Sequence, residues 1–275
     1  MSTSPSDPIE ISLSTLGKAG DFGALAHFAD PALYDLAYAD RTEDVSFYVR
    51  EARRSAGAIL EYGAGNGRIT LPIAQARKQI TAVDLSVPML DDLCRRRAKL
   101  PPHVAERIDV QLGDMRTLQL EGRFDLIIAP FNTVLHLYTH DDVRQFLARV
   151  FEHLDAQGQF IFDFGIPHPA DLCRDPEVSY PGPSFCDPRT GHRIEYAERF
   201  EYEPLRQLLV TWMEHTPERG EAWTIPLAQR QFFPMEMEAL VEHAGFEIVE
   251  RTSDFSEEAP HCDTDFLALR CVRRS

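Results

Sequence analysis

The stretch Glu61-Tyr62-Gly63-Ala64-Gly65-Asn66-Gly67-Arg68 decides the reading of this chain. It joins an apolar run, Ala58 to Tyr62 (AILEY), to a segment with helical spacing, Arg68 to Arg77. Glycines between a strand and a helix let the backbone approach a ligand closely. The helix start adds free N–H groups and the positive end of a dipole. Such a turn serves a dinucleotide, another nucleoside, or no ligand at all. Two details narrow the choice. The dinucleotide pattern wants a small residue where Arg68 stands, and here the third glycine comes one position early. Glu61 places an acid two residues before the first glycine, awkward beside a pyrophosphate but suited to an ammonium group.

Working outward, strands and helices alternate. Gln79 to Asp84, Ile108 to Leu112, Phe124 to Ala129 and Gln159 to Phe164 read as further strands. Ser86 is an N-cap, followed by Pro88 in a first helical turn and by Arg95, Arg96 and Arg97 at the helix end. Asp141 to Leu154 has one apolar helical face, and Asp30 to Arg54 also carries helical spacing. This alternation implies a parallel sheet covered on both faces, an α/β class of fold.

Two more acids end strands. Asp84 lies 19 residues after Gly65, where a carboxylate can accept both hydroxyl protons of a ribose. It also reads as a helix-capping residue. Asp114, in Gly113-Asp114-Met115, can accept from an adenine amine while Met115 packs on the ring, and it equally reads as a turn residue. In a doubly wound sheet adjacent strand ends face one crevice. Glu61, Asp84 and Asp114 together suit ammonium, ribose and adenine, the groups presented by S-adenosylmethionine.

On these residues the sequence resembles the class I S-adenosylmethionine-dependent methyltransferases, from about Tyr34 to Val272. EYGAGNGR resembles the first motif, AVDLS the second, LGDM the third and FDLIIAPFN the fourth. AGFEIVE with FLALRC resembles the closing helix and strand pair. The resemblance implies a doubly wound, Rossmann-like, seven-stranded and mostly parallel sheet whose last strand is antiparallel. It implies S-adenosyl-L-methionine as cofactor, with Tyr34, Glu61, Gly63, Ala64, Gly65, Asp84, Leu85, Met89, Asp114, Met115 and Phe131 around it. Within the superfamily the chain looks closest to glycine-type and aminosugar N-methyltransferases. YDLAYADR (Tyr34 to Arg41) resembles their lid segment, in which the tyrosine closes over the cofactor. FNTVLHL (Phe131 to Leu137) resembles the segment whose histidine faces the methyl acceptor.

His136 and Tyr34 are therefore the expected catalytic residues. An unperturbed histidine is partly neutral near neutral pH and can serve as base or orienter. The bland readings are a hydrogen-bonded structural histidine and a packed tyrosine. Asn132 reads as an acceptor contact or a turn cap, and Phe131 as a cofactor platform or core. Asp254 and Phe255 lie near the end of the sixth strand.

After Gly165 the pattern changes. A proline-rich connector from Pro167 to Pro188 precedes three strand-like segments, Arg193 to Tyr202, Gln207 to Met213 and Ala222 to Leu227. They are expected to form an antiparallel meander with one apolar face, serving as lid or dimer interface. Its aromatic set, Tyr196, Phe200, Tyr202, Trp212 and Trp223, reads first as the core of a small sheet. A helix follows from about Pro234 to Ala244, then strands Phe246 to Arg251 and Asp265 to Val272. The expected units are a tail (1–29), a cofactor-binding core (30–165), an inserted cap (166–230) and a segment completing the core sheet (231–275).

Composition is consistent with this. The 28 basic and 44 acidic residues leave a net charge of −16, which disfavours nucleic-acid partners. No apolar run is long enough to span a membrane, and the N-terminus lacks a secretory pattern. Five scattered cysteines suit free thiols in the cytoplasm. His261-Cys262-Asp263 reads as a loop, not a metal site. The expected function is methyl transfer to nitrogen, or oxygen, of a small molecule, with a homodimer as one option for assembly. The alternatives are a non-catalytic binding or scaffold module of the same fold and an NAD-dependent oxidoreductase.

Overall fold

The computed structural model describes residues 22–256 and 258–274. The tail expected for residues 1–29 lies mostly outside the described residues. The central sheet has seven strands in the order β11-β12-β5-β4-β1-β2-β3. These are β1 (Ile59–Tyr62), β2 (Ile80–Asp84), β3 (Ile108–Leu112), β4 (Phe124–Ala129), β5 (Leu154–Gly165), β11 (Phe246–Ser253) and β12 (Phe266–Arg273). The first five run parallel, and β12 runs antiparallel to both its neighbours, as the resemblance implied.

Alternation along each strand builds two apolar layers. Ile127 packs with Leu60, Phe160, Phe162 and Leu269 on one face. Leu126 and Ile128 pack with Ile59, Ile80, Ile161 and Ala268 on the other. Residues 126–129 of β4 are all at most 2% exposed, as expected of a central strand covered on both sides.

The helices start and stop where local chemistry dictates. Ser86 caps α5 (Val87–Arg97) by accepting from the Met89 N–H, and the three arginines lie in its last turn. Thr139 and Asp142 form a reciprocal capping box at the start of α7 (His140–His153). The expected helix over Arg68 to Arg77 is shorter, α4 (Thr70–Gln75). The expected span Asp30 to Arg54 divides into α2 (Pro31–Ala37) and α3 (Glu43–Arg54), preceded by α1 (Phe22–His27). Asp30 and Thr42 stand at the two N-cap positions, and the Asp30 carboxylate accepts from the N–H groups of Ala32 and Leu33.

A second sheet holds β8 (Arg193–Glu203), β9 (Leu208–Pro217) and β10 (Trp223–Arg230). The proline-rich connector is more than a linker, since Tyr180–Pro181 and Phe185–Cys186 form short strands, β6 and β7, on β8. The expected single apolar face needs correction. Phe200 lies opposite Thr211, and Tyr202 opposite Leu209. Tyr196, Phe200 and Tyr202 therefore share a face with Leu209 and Thr211, while Leu208, Val210 and Trp212 occupy the other face. Both faces carry apolar groups. Leu208, Val210 and Ala228 pack with Tyr138 of the core.

Candidate active site

A cavity of about 710 Å³ opens where β1, β2, β3 and β4 end. The chain reverses its order between β1 and β4, and ligands of doubly wound sheets bind at such a point. The residues expected around the cofactor or in catalysis all line it: Tyr34, Glu61, Gly63, Ala64, Gly65, Asp84, Leu85, Met89, Asp114, Met115, Phe131 and His136.

The glycine turn is held by its own backbone. The Ala64 N–H donates to the Val83 carbonyl, and the Gly65 N–H donates to Asp84 Oδ2 at 2.7 Å. Gly63 sits at φ +70, and a Cβ there would meet Thr133 Oγ1 at 2.2 Å. The glycine is thus required by the loop after β4 as well as by the turn. Glu61 is 1% exposed and accepts from Thr70 Oγ1 at 2.6 Å. Burial pushes its carboxyl up to about 8, against the Thr70 bond and the nearby Arg68 charge.

Asp84 is fixed at both oxygens, with Oδ1 accepting from the Ser86 N–H at 2.7 Å and Oδ2 from Gly65. Each oxygen keeps a further lone pair for a hydroxyl. Burial raises this carboxyl, and the backbone bonds oppose it. Asp114 differs from expectation. Arg116 grips it with Nε and Nη2, the latter at 2.6 Å, and the Arg116 N–H adds a 2.8 Å bond. Burial works against its charge, but these bonds hold the carboxyl below the usual range. A carboxylate so engaged mainly fixes the turn, and less of it is left for an exocyclic amine.

The opposite wall is aromatic. Tyr34 on α2 meets Tyr38 with ring centroids 4.8 Å apart, and Tyr38 meets Phe131 at the same spacing. Burial pushes the Tyr34 hydroxyl up to about 12. Arg68 reaches back from the turn, bonding Asp44 at 2.8 and 2.5 Å and the Arg41 carbonyl at 3.1 Å. Its guanidinium lies 4.5 Å from the Phe131 ring centre. This explains why a large residue stands where a dinucleotide turn is small.

His136 closes a 3-10 turn, Thr133–His136, after β4. Burial lowers it to about 4, against a bond to the Ala228 backbone. Its Nδ1 is buried without a hydrogen-bond partner. A neutral imidazole has one bare nitrogen lone pair, and the unpartnered Nδ1 is the place for it. The Phe28 ring stands edge-on to it at 5.5 Å. A neutral imidazole of this kind orients a donor; at neutral pH it has little power as a titrating base.

Residues 22–41 and the second sheet add wall residues that the sequence did not single out. His27 accepts or donates at the Tyr38 hydroxyl (3.0 Å) and is lowered to about 4 by burial and then by His136 and His215. Leu25, Phe28, Tyr138, Leu227 and Ala228 complete this side. Asp254 and Phe255 do not line the cavity: Asp254 Oδ1 accepts from the N–H groups of Asp265 and Phe266, and Phe255 packs on Phe47 and Tyr48. Asn132 is a turn residue whose Oδ1 accepts from the Gly165 N–H. Among the described residues no group of His, Cys, Asp and Glu could hold a metal ion, and His261-Cys262-Asp263 is a loop.

The donor set fits S-adenosylmethionine: a buried acid for a cation, an acid with spare acceptors for hydroxyls, and an aromatic wall. Comparison with known proteins agrees. Residues 59–158 match the methyltransferase domain family. A Geobacillus sp. (strain WCH70) protein with a provisional methyltransferase name is 26% identical over 76% of this chain and 81% of its own length. The CcbJ methyltransferase of Streptomyces caelestis superposes with a TM-score of 0.75 at 22% identity, covering 92% of this chain and 99% of that one. CalS10, an amino pentose methyltransferase of Micromonospora echinaspora solved with S-adenosylmethionine bound, gives 0.62 at 17% identity, covering 97% and 99%. Residues 59–158 thus match a methyltransferase domain, the chain has the fold of the S-adenosylmethionine-dependent methyltransferases, and S-adenosylmethionine is the cofactor that its donor set fits.

Proposed function

We propose that this chain methylates a nitrogen of a small-molecule acceptor, with a hydroxyl oxygen as the second choice. The observation that carries the reading is one cavity lined both by the acids at the ends of β1 and β2 and by His136, His27 and aromatic rings. When bound, S-adenosylmethionine supplies a methyl carbon on a sulfonium, open to in-line displacement by an acceptor lone pair.

The residues of the chain do the rest. Asp84 holds hydroxyls with the lone pairs that Gly65 and Ser86 leave free. Glu61 accepts an ammonium. Tyr34, Tyr38 and Phe131 exclude water, so that holding reactants in line is effective. His136 Nδ1 accepts an N–H or O–H of the acceptor and turns its lone pair toward the reacting carbon. The imidazole is held neutral, so it adds no second positive charge beside the sulfonium, and an amine acceptor sheds its ammonium proton to solvent before its lone pair attacks. CalS10, an amino pentose methyltransferase, supports an amine-bearing small molecule as acceptor. The four exposed free thiols fit a reducing cytoplasm, and the acidic surface fits a chain without nucleic-acid partners. The proposed division keeps residues 166–230 as an inserted cap.

S-adenosylhomocysteine should raise the melting temperature, and NAD should leave it unchanged. A labelled methyl donor, screened against amines, hydroxy compounds and carboxylates, should label an amine. Cofactor binding with no transfer to any acceptor would instead mark a non-catalytic binding module. His136→Ala should lower turnover roughly 10- to 100-fold while S-adenosylhomocysteine affinity stays within about threefold. A fully active variant removes His136 from the mechanism.

A further inference from the structure

The corner after β4 is built against the preferences of its residues. Phe131 has φ +57 and Asn132 has φ +62, both in the left-handed region, and neither is glycine. Asparagine tolerates this conformation, but phenylalanine rarely adopts it. Such backbone persists only where its surroundings over-determine it.

The surroundings here are one buried side chain on the neighbouring strand. Asp163 of β5 is 0% exposed. Its Oδ1 accepts from the Phe131 N–H at 2.8 Å and from the Tyr48 hydroxyl at 2.5 Å, and its Oδ2 accepts from the Asn132 N–H at 3.1 Å. Successive N–H groups converging on one anion are a known way for irregular backbone to hold negative charge. The corner is tied to β5 a second time, through Asn132 Oδ1 and the Gly165 N–H at 2.7 Å.

We infer that Asp163 is a positioning residue: its carboxylate sets the Phe131-Asn132 corner and, through it, the wall of the cofactor cavity. Three parts of that wall depend on the corner. The Phe131 ring is the surface on which Tyr38 and the Arg68 guanidinium rest. Thr133 fills the space that Gly63 leaves open. The 3-10 turn ending in His136 starts at the corner, where the Leu135 N–H donates to the Asn132 carbonyl at 2.9 Å. Burial pushes the Asp163 carboxyl up to about 6, against the three bonds, so it is ionised at neutral pH. Only an acceptor suits this place. An amide would aim its own N–H groups at donors.

The inference rests on the methyltransferase reading for what the wall serves, and the test separates the two. The variants Asp163→Asn and Tyr48→Phe are compared with the unmodified chain, with S-adenosylhomocysteine as calorimetric probe and circular dichroism as the check of folding. Asp163→Asn should bind the probe at least about tenfold more weakly at temperatures where it is folded. Tyr48→Phe keeps both backbone bonds and should bind within about threefold of the unmodified chain, although its melting temperature falls too. A purely structural role would lower both melting temperatures and leave both folded-state affinities unchanged, which overturns the inference. Amide exchange in the unmodified chain gives a second reading that survives if Asp163→Asn does not fold. The Phe131 and Asn132 N–H groups should exchange slowly with no ligand present, and fast exchange overturns the anchor. If the unmodified chain ignores the probe, the methyltransferase reading fails while amide exchange still decides the corner.

Discussion

Glu61 ends β1 just before the glycines, and its burial there sets its protonation state. With the cleft empty its carboxyl titrates near 8, so at about pH 6.5 it holds its proton. Its raised value also means that this group costs the empty protein stability as pH rises from the ordinary carboxyl range toward 8. Pairing with the ammonium of the cofactor requires ionisation, so binding releases a proton. Affinity for S-adenosylhomocysteine should therefore rise between about pH 6 and pH 7.5, by up to about tenfold per unit. Calorimetry across that range, repeated on Glu61→Gln, checks this: the slope should flatten in the variant, and an unchanged slope contradicts the assignment. The place of Glu61 was legible in the sequence, because motif and strand end coincide, whereas its protonation state was not, because burial belongs to the folded environment, and Asp114 and His136 behave likewise. The sequence placed both at the cavity, but the grip of Arg116 and the burial of His136 come from chain-distant or rotamer-dependent contacts.

At the scale of elements, the lid was legible only in part. Helical spacing from Asp30 to Arg54 was visible, but the break between α2 and α3 follows from caps within a continuous pattern. What ties these helices to the glycine turn was not legible at all. Asp35 on α2 pairs with Arg96 on α5 and accepts from Asn66 Nδ2. Arg68 pairs with Asp44 at the start of α3, where Asp44 is 2% exposed. Removing one member of a buried pair strands the other charge, so Arg68→Met should destabilise by roughly 3 kcal/mol. The double variant Arg68→Met with Asp44→Asn should recover part of that loss in denaturant unfolding. Additive losses would show that the pair is not coupled. The second sheet failed for a different reason. Alternation within a strand gives its two faces, but only pairing register says which faces coincide between strands, and register was not in the pattern.

At the scale of the molecule, the alternation of strands and helices was enough to give a doubly wound sheet, because period and turn chemistry are local. The residue pattern already gave seven core strands, the antiparallel β12 came from the family resemblance, and the sheet order shows both. Asp163 was the piece no reading could supply. It sits in an ordinary strand, QFIFDF, and acquires a task only when β5 lies beside the end of β4. Among the described residues no helix is long and apolar enough to cross a membrane. The crevice at the sheet's switch point is expected to gather an adenosyl ligand through carboxylates on β1 and β2. Asp84 tests this most directly, since hydrogen bonds to a charged group contribute about 1.5–3 kcal/mol each. The measurement is a calorimetric titration of S-adenosylhomocysteine into the unmodified chain and into folded Asp84→Ala. Binding to the first should be saturable, and binding to the second at least about tenfold weaker. No binding to the unmodified chain, or equal affinity in the two, would contradict it.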